Sequence, residues 1–173
     1  MPRPLEQIIN AYRRDTPLAR AHTIPAAWYT DPRVFDLERH TVFTRSWQVA
    51  GRIEELRAQG DYVACELSSG EPILVARGQD DTLRGFFNVC RHHAAAVVTD
   101  GAGSARQFRC PYHGWTYALD GTLKGTPDFA DVCDFERSAN GLVPLDCAVS
   151  QKWVFARTAP DGPSLDDYLG ADL

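Results

Sequence analysis

Two hydrophobic periods divide the chain. Near the N-terminus Leu5, Ile8, Ile9 and Tyr12 recur at i, i+3, i+4 and i+7, which predicts an amphipathic helix within PLEQIINAYRR. Pro17 and Pro25 then break the chain into a linker. Asp31 and Pro32 supply the N-cap and first position of a second helix, running to about Arg45 with Phe35, Val42 and Phe43 as its apolar positions. From Trp47 onward the period shortens to two. Runs rich in Val, Phe, Tyr and Thr alternate with Gly, Asp and Pro turns: WQVAG, DYVACEL, PILVAR, LRGFFNV, RQFRC, WTYAL, TLKG, LVPLDCAV and KWVFAR. Asp120-Gly121, between WTYAL and TLK, is the strongest hairpin signal. So many short strands predict a mainly β chain, a sandwich or barrel preceded by N-terminal helices. GPSLDDYLGADL at the C-terminus suits one helical turn, and no internal repeat or low-complexity segment interrupts the pattern.

At 173 residues the chain is long enough to bury one core, and its 44% hydrophobic and 24% charged residues are those of an ordinary globular protein. A formal charge of −5 offers no basic field to nucleic acid or an anionic membrane. No apolar run reaches transmembrane length, and MPRPLEQIINAYRRD lacks a secretory h-region, so the expected compartment is the cytoplasm. Cysteines there stay reduced. Alternation groups Cys65 with Val63 and Leu67, and Cys147 with Leu145 and Val149, as core positions; Cys133 sits in an acidic loop with no His or Cys at ligand spacing.

Cys90 and Cys110 differ, because each is followed within three residues by a histidine: Cys90-x-His92 and Cys110-x-x-His113. Between His93 and Arg109 there is room for a strand over Ala95 to Thr99, a turn at Asp100–Gly103 and a strand back from Gln107, which would set the two pairs side by side. Pro111 stiffens the second loop, Gly114 lets backbone come close to a bound group, and Trp115 can roof it against water. Two thiolates and two imidazoles suit either one tetrahedral zinc or a two-iron, two-sulfide cluster. Spacing leaves both open, since His93 also permits a C-x-x-H reading from Cys90.

C-R-H, seventeen residues and then CPYHGWTYALDGTLKG resembles the Rieske iron–sulfur motif as it stands in the alpha subunits of Rieske non-haem iron oxygenases, the ring-hydroxylating family. AAWYTDPRVFDLERHTVFTRSWQVAGR resembles the segment before the Rieske domain in those subunits, and NGLVPLDCAVSQKWVFAR the strands that close it. The resemblance implies antiparallel sheets with a small cluster-binding subdomain. It implies that Cys90 and Cys110 bind one iron of a [2Fe-2S] cluster and His92 and His113 the other, with His93 a neighbour. Gly114, Trp115 and Tyr117 would surround them, Tyr117 as a donor to a cysteine sulfur. Respiratory Rieske proteins carry a serine hydroxyl donor where this chain has Trp115, which implies a low potential within the range of about −150 to +300 mV for such centres.

The division implied is an approach segment over 1–46, a Rieske domain over 47–158, and a tail over 159–173 leading toward a catalytic domain. That domain would hold a mononuclear Fe(II) on two histidines and a carboxylate. His22 and His40, eighteen residues apart, do not form such a site and read as surface histidines. The expectation is therefore an electron-transfer domain, a fragment of an oxygenase subunit. A reductase or ferredoxin would supply electrons, and a catalytic domain, of a neighbouring subunit in the trimers of the family, would receive them. CRHHAAAV and GLVPL resemble the branch acting on quaternary ammonium compounds. The alternatives are a stand-alone Rieske ferredoxin and a zinc-stabilised interaction module. Asp128, Asp131, Asp134 and Glu136 read as a solvated acidic loop, and Gly101-Ala-Gly103 as a turn.

Overall fold

The computed structural model describes residues 3–99, 101–129 and 132–170. Asp100 and Asp131, which belong to the turn and acidic loop named above, lie outside the described residues. Among the described residues ten strands form two antiparallel sheets: β1 (Gln48–Arg52), β2 (Asp61–Glu66), β3 (Pro72–Arg77), β4 (Leu83–Phe87), β5 (Gly101–Ser104), β6 (Phe108–Arg109), β7 (Thr116–Tyr117), β8 (Leu123–Gly125), β9 (Pro144–Ser150) and β10 (Trp153–Arg157). The larger sheet runs β1-β10-β9-β4-β3-β2-β5, and the smaller β6-β7-β8. The large sheet curls until Gly51 on β1 lies against Val63 on β2.

Alternation sorts the side chains between two cores. Val63, Ile73 and Val75 face inward with Leu56, Val154 and Ala156; Ala64, Leu74 and Ala76 face the other way, toward Phe108, Trp115 and Tyr117. Strand β3 is thus covered on both faces, which is why PILVA reads as an unbroken apolar run. Cys65 and Cys147 pack on the first core as expected, and burial pushes the Cys147 thiol up to about 11. Val149, grouped with them by alternation, is exposed beside the turn from β9 into β10.

Before the sheets the described residues form the helices α1 (Leu5–Ile9), α2 (Ala27–Thr30) and α3 (Pro32–Thr41). Asp31 caps α3 as its sequence predicts, accepting from the Arg33 N–H at 3.1 Å. The helix stops at Thr41 and a short 3₁₀ turn, Phe43–Arg45, completes the expected span. Its inner face differs from expectation: Val34 is buried, whereas Phe35 and Val42 are each 51% exposed. The linker after Pro17 contains a 3₁₀ turn and α2, whose Trp28 indole donates to the Ile8 carbonyl at 2.9 Å. At the other end α4 (Leu165–Leu169) buries Leu165.

Between β4 and β6 the path differs from a simple out-and-back hairpin. Residues 95–99 form no strand, and Gly101 to Gly103, expected within a turn, belong to the edge strand β5 paired with β2. The pairing sets Tyr62 opposite Gly103, and the Tyr62 ring fills the place a Cβ would take. Asp120-Gly121 does turn the β7–β8 hairpin, with Gly121 at φ +83° and Ala118 N–H donating to Thr122 at 2.9 Å.

Candidate metal centre

The two Cys/His loops are built alike. In the first, Cys90 N–H donates to the Ala95 carbonyl at 2.8 Å and Ala94 N–H returns to the Cys90 carbonyl at 3.0 Å. In the second, Cys110 N–H donates to Trp115 at 2.8 Å and Gly114 N–H to Cys110 at 3.0 Å. The residue four past each cysteine is left-handed, Ala94 at φ +58° and Gly114 at φ +74°. Such a turn folds the chain back so that cysteine and histidine project to the same side; Gly114 meets the requirement without strain, Ala94 with a Cβ in a disfavoured region.

What holds the first loop in place was not foreseen. Asn88, 1% exposed, accepts from the N–H groups of Val97 and Val98 at 3.0 Å each and donates to the Val98 carbonyl at 2.7 Å. Its amide takes up the backbone groups that a strand over 95–99 would have paired, and so removes the need for that strand. The sequence signal is slight: a single asparagine two residues before the cysteine.

The donors meet as two pairs. The Cys90 and Cys110 thiols are both buried, and Cys90 adds to the upward shift that burial imposes on the Cys110 thiol. The His92 and His113 rings lie 4.7 Å apart between centroids, and the ligating nitrogens of His92, His93 and His113 fall within 4.8 Å of one another. Among the described residues no cysteine joins that group. A single tetrahedral zinc would bring its thiolates and imidazoles to about 3.4–3.8 Å of each other, given its usual bond lengths. The observed split suits two metal centres, each with its own pair.

Burial leads the electrostatics. It lowers the His92 imidazole below its ordinary value, helped by His93 and His113, so that the neutral, ligating form is favoured. It raises the Cys110 thiol, against the opposing N–H groups of Tyr112 and His113. The Tyr117 hydroxyl lies 3.2 Å from the Cys90 sulfur and accepts from the Arg91 N–H at 3.0 Å; burial, then Cys90, pushes it far above its usual range, so it stays protonated. Trp115 stacks on His92 with planes 3° apart, under Phe129 and Phe135. The His92 Nδ1 atom is buried without a hydrogen-bond partner. A buried nitrogen facing no protein donor, beside two buried thiols, fits a metal cluster held by these residues. Tyr112, His93 and His113 are exposed, so the imidazole side is the one open to solvent.

Residues 46–136 match the family described as the Rieske [2Fe-2S] domain. The chain belongs to that family. It is 37% identical over 149 residues to the glycine betaine monooxygenase oxygenase subunit of Chromohalobacter salexigens, covering 86% of this chain and 33% of that protein. Against the carnitine monooxygenase oxygenase subunit of Escherichia coli K12 it is 37% identical over 150 residues, 86% of this chain and 40% of the relative. A solved quaternary ammonium Rieske monooxygenase, described with carnitine oxidation by gut microbiota and inter-subunit electron transfer, superposes with a TM-score of 0.80 at 33% identity, over 86% of this chain and 40% of its own. The chain thus spans about a third to two fifths of the length of these relatives. The Rieske domain carries a [2Fe-2S] cluster, which replaces the zinc alternative. His22 and His40 are exposed, as expected of surface histidines, and Cys133 is exposed too.

Proposed function

We propose that this chain is the electron-relay domain of a Rieske oxygenase subunit, with Cys90 and Cys110 on one iron and His92 and His113 on the other. The observation that carries the reading is the division of the four donors into a buried thiol pair and a more exposed imidazole pair. When bound, the [2Fe-2S] cluster supplies one-electron chemistry, at a potential that two neutral imidazoles raise above that of all-cysteine clusters. The protein's own residues set the conditions. The Tyr117 hydroxyl donates to the Cys90 sulfur, and the N–H groups of Tyr112 and His113 favour the charged form of the Cys110 thiol. Donors to the sulfurs favour the more negative, reduced state. Trp115, Phe129 and Phe135 keep water from the buried side. His113, exposed beside Tyr112 and His93, is the side from which an electron passes to another redox centre.

The donor of electrons would be a reductase or ferredoxin. The acceptor would be a mononuclear non-haem iron in a catalytic domain outside this chain, in a neighbouring subunit, as the inter-subunit transfer of the solved relative suggests. Glycine betaine and carnitine, named for the relatives, point to a quaternary ammonium substrate for the parent assembly. Among the described residues no helix is long and apolar enough to cross a membrane, and a cytoplasmic location is proposed with the rest. The proposed division is an approach segment over 1–46, the cluster domain over 47–158 and a C-terminal segment over 159–173. Anaerobic purification, iron and sulfide assay, and EPR of the dithionite-reduced protein test the ligand set. A red-brown protein with a rhombic signal of average g below that of an all-cysteine cluster is expected. A colourless protein carrying one zinc would overturn the reading.

A further inference from the structure

Beside the orphaned nitrogen of His92 stands a second one. Trp115 is 2% exposed, and its indole Nε1 is buried without any hydrogen-bond partner. An unpaired N–H in a protein interior is costly, so its acceptor has to be sought. His92 is not the acceptor. The two rings are parallel within 3° at 4.7 Å between centroids, and an indole N–H lies in its own ring plane, so it cannot donate into the ring stacked on it. Phe129 and Phe135 offer only aromatic surface, a weak substitute for a lone pair. Solvent and other chains are excluded too, since the atom is already enclosed by this chain's own residues. The neighbouring orphan, His92 Nδ1, lacks a partner at the same stack. One group placed there would satisfy both, provided it binds an imidazole nitrogen and also carries lone pairs that accept an N–H.

We propose that the Trp115 indole N–H donates a hydrogen bond to a sulfur of the [2Fe-2S] cluster. The inference rests on the ligand assignment above and adds a residue that tunes the cluster. It supplies a side-chain donor at the position where the resemblance implies that the hydroxyl donor of respiratory Rieske proteins is missing. A donor to sulfur stabilises the added negative charge of the reduced state, so Trp115 raises the potential relative to a ring that only stacks.

The test starts from the intact, cluster-loaded protein labelled with ¹⁵N at the indole of tryptophan, reduced with dithionite and examined by pulsed EPR. A ¹⁵N coupling to the cluster spin is expected, and it should vanish in Trp115→Phe, which keeps the stacked ring and removes the donor. In that variant the ratio of reduced to oxidised cluster at fixed ambient potential should fall at least threefold. Trp28, Trp47 and Trp153 carry the same label in both proteins, so loss of the coupling identifies Trp115. A loaded wild-type protein with no indole coupling overturns the proposal, whether or not the variant folds, and leaves the ligand assignment standing. The same follows if the variant holds its cluster at an unchanged ratio. A wild-type protein that binds no iron would instead remove the ligand assignment, and this inference with it.

Discussion

At the scale of single residues, the cluster loops depend on one side chain that takes no part in ligation. Asn88 makes three hydrogen bonds to a backbone stretch nine and ten residues further on, in an interior where each unmet partner is costly. Asn88→Ala should lose about 2–4 kcal/mol, read as a lowered urea midpoint. Asn88→Asp should do no better, because it deletes the donor to Val98 and places a charge in the core. An alanine variant within about 0.5 kcal/mol of wild type would show that water can replace the amide. The two Cys/His pairs were legible in the sequence because their signal is local, each cysteine and its histidine lying two residues apart in one loop and three in the other. Asn88 was not, since its partners are distant and an asparagine beside a cysteine reads as an ordinary turn former. The inner face of α3 escaped for a related reason: in a ten-residue helix, Val34 and Phe35 differ by one step of rotation, and tertiary packing decides between them.

At the scale of elements, the hairpin β7–β8 was readable and the strand β5 was not. The hairpin's turn is specified by its own residues. Asp120 accepts from the Thr122 hydroxyl at 2.6 Å and from its N–H at 3.0 Å, which holds its carboxyl below the usual range, and Gly121 supplies the positive φ. GAGS has no strand propensity, and pairs with β2 only because Gly103 leaves room for the Tyr62 ring across the strand. The hairpin also anchors the cluster-binding subdomain on the large sheet. The Gly121 carbonyl accepts from Leu142 N–H at 2.8 Å, and a Cβ at Gly121 would come within 2.5 Å of the buried Phe86 ring. Gly121→Ala therefore combines a disfavoured φ with overpacking and should cost about 2–4 kcal/mol in urea unfolding. Gly125→Ala serves as a control, because its Cβ would meet only Thr116 at ordinary contact distance. Equal losses in the two variants would refute the anchoring role.

At the scale of the whole molecule, one buried arginine joins the residue before β1, the sheet and the segment leading into α4. Arg157 on β10, 3% exposed, pairs with Asp146 across the β9–β10 ladder, donates to the Pro163 carbonyl at 2.7 Å, and stacks over the Trp47 ring at 4.7 Å. Trp47 donates to the same Pro163 carbonyl at 3.1 Å, while Ala159 N–H and the Thr158 hydroxyl reach Thr44 at 2.9 and 3.2 Å. The segment leading into α4 is thereby fixed to the chain just before β1, and the direction in which it leaves the sheet is set by this knot. Breaking a fully buried ion pair costs about 3–5 kcal/mol. Here the Asp146 side chain is 41% exposed and can be rehydrated, and Pro163 keeps its bond from Trp47. The loss in Arg157→Met should accordingly be smaller, about 2–3 kcal/mol. Arg157→Lys should recover little, because a single ammonium cannot serve a carboxylate, a carbonyl and an aromatic face at once. Limited proteolysis distinguishes this knot from a general weakening of the sheet: in both variants cleavage between 158 and 164 should accelerate before any site within β2 to β4 is cut. Cleavage that speeds up equally across the molecule would mean that Arg157 contributes to the core alone and does not fix the course of the C-terminal segment.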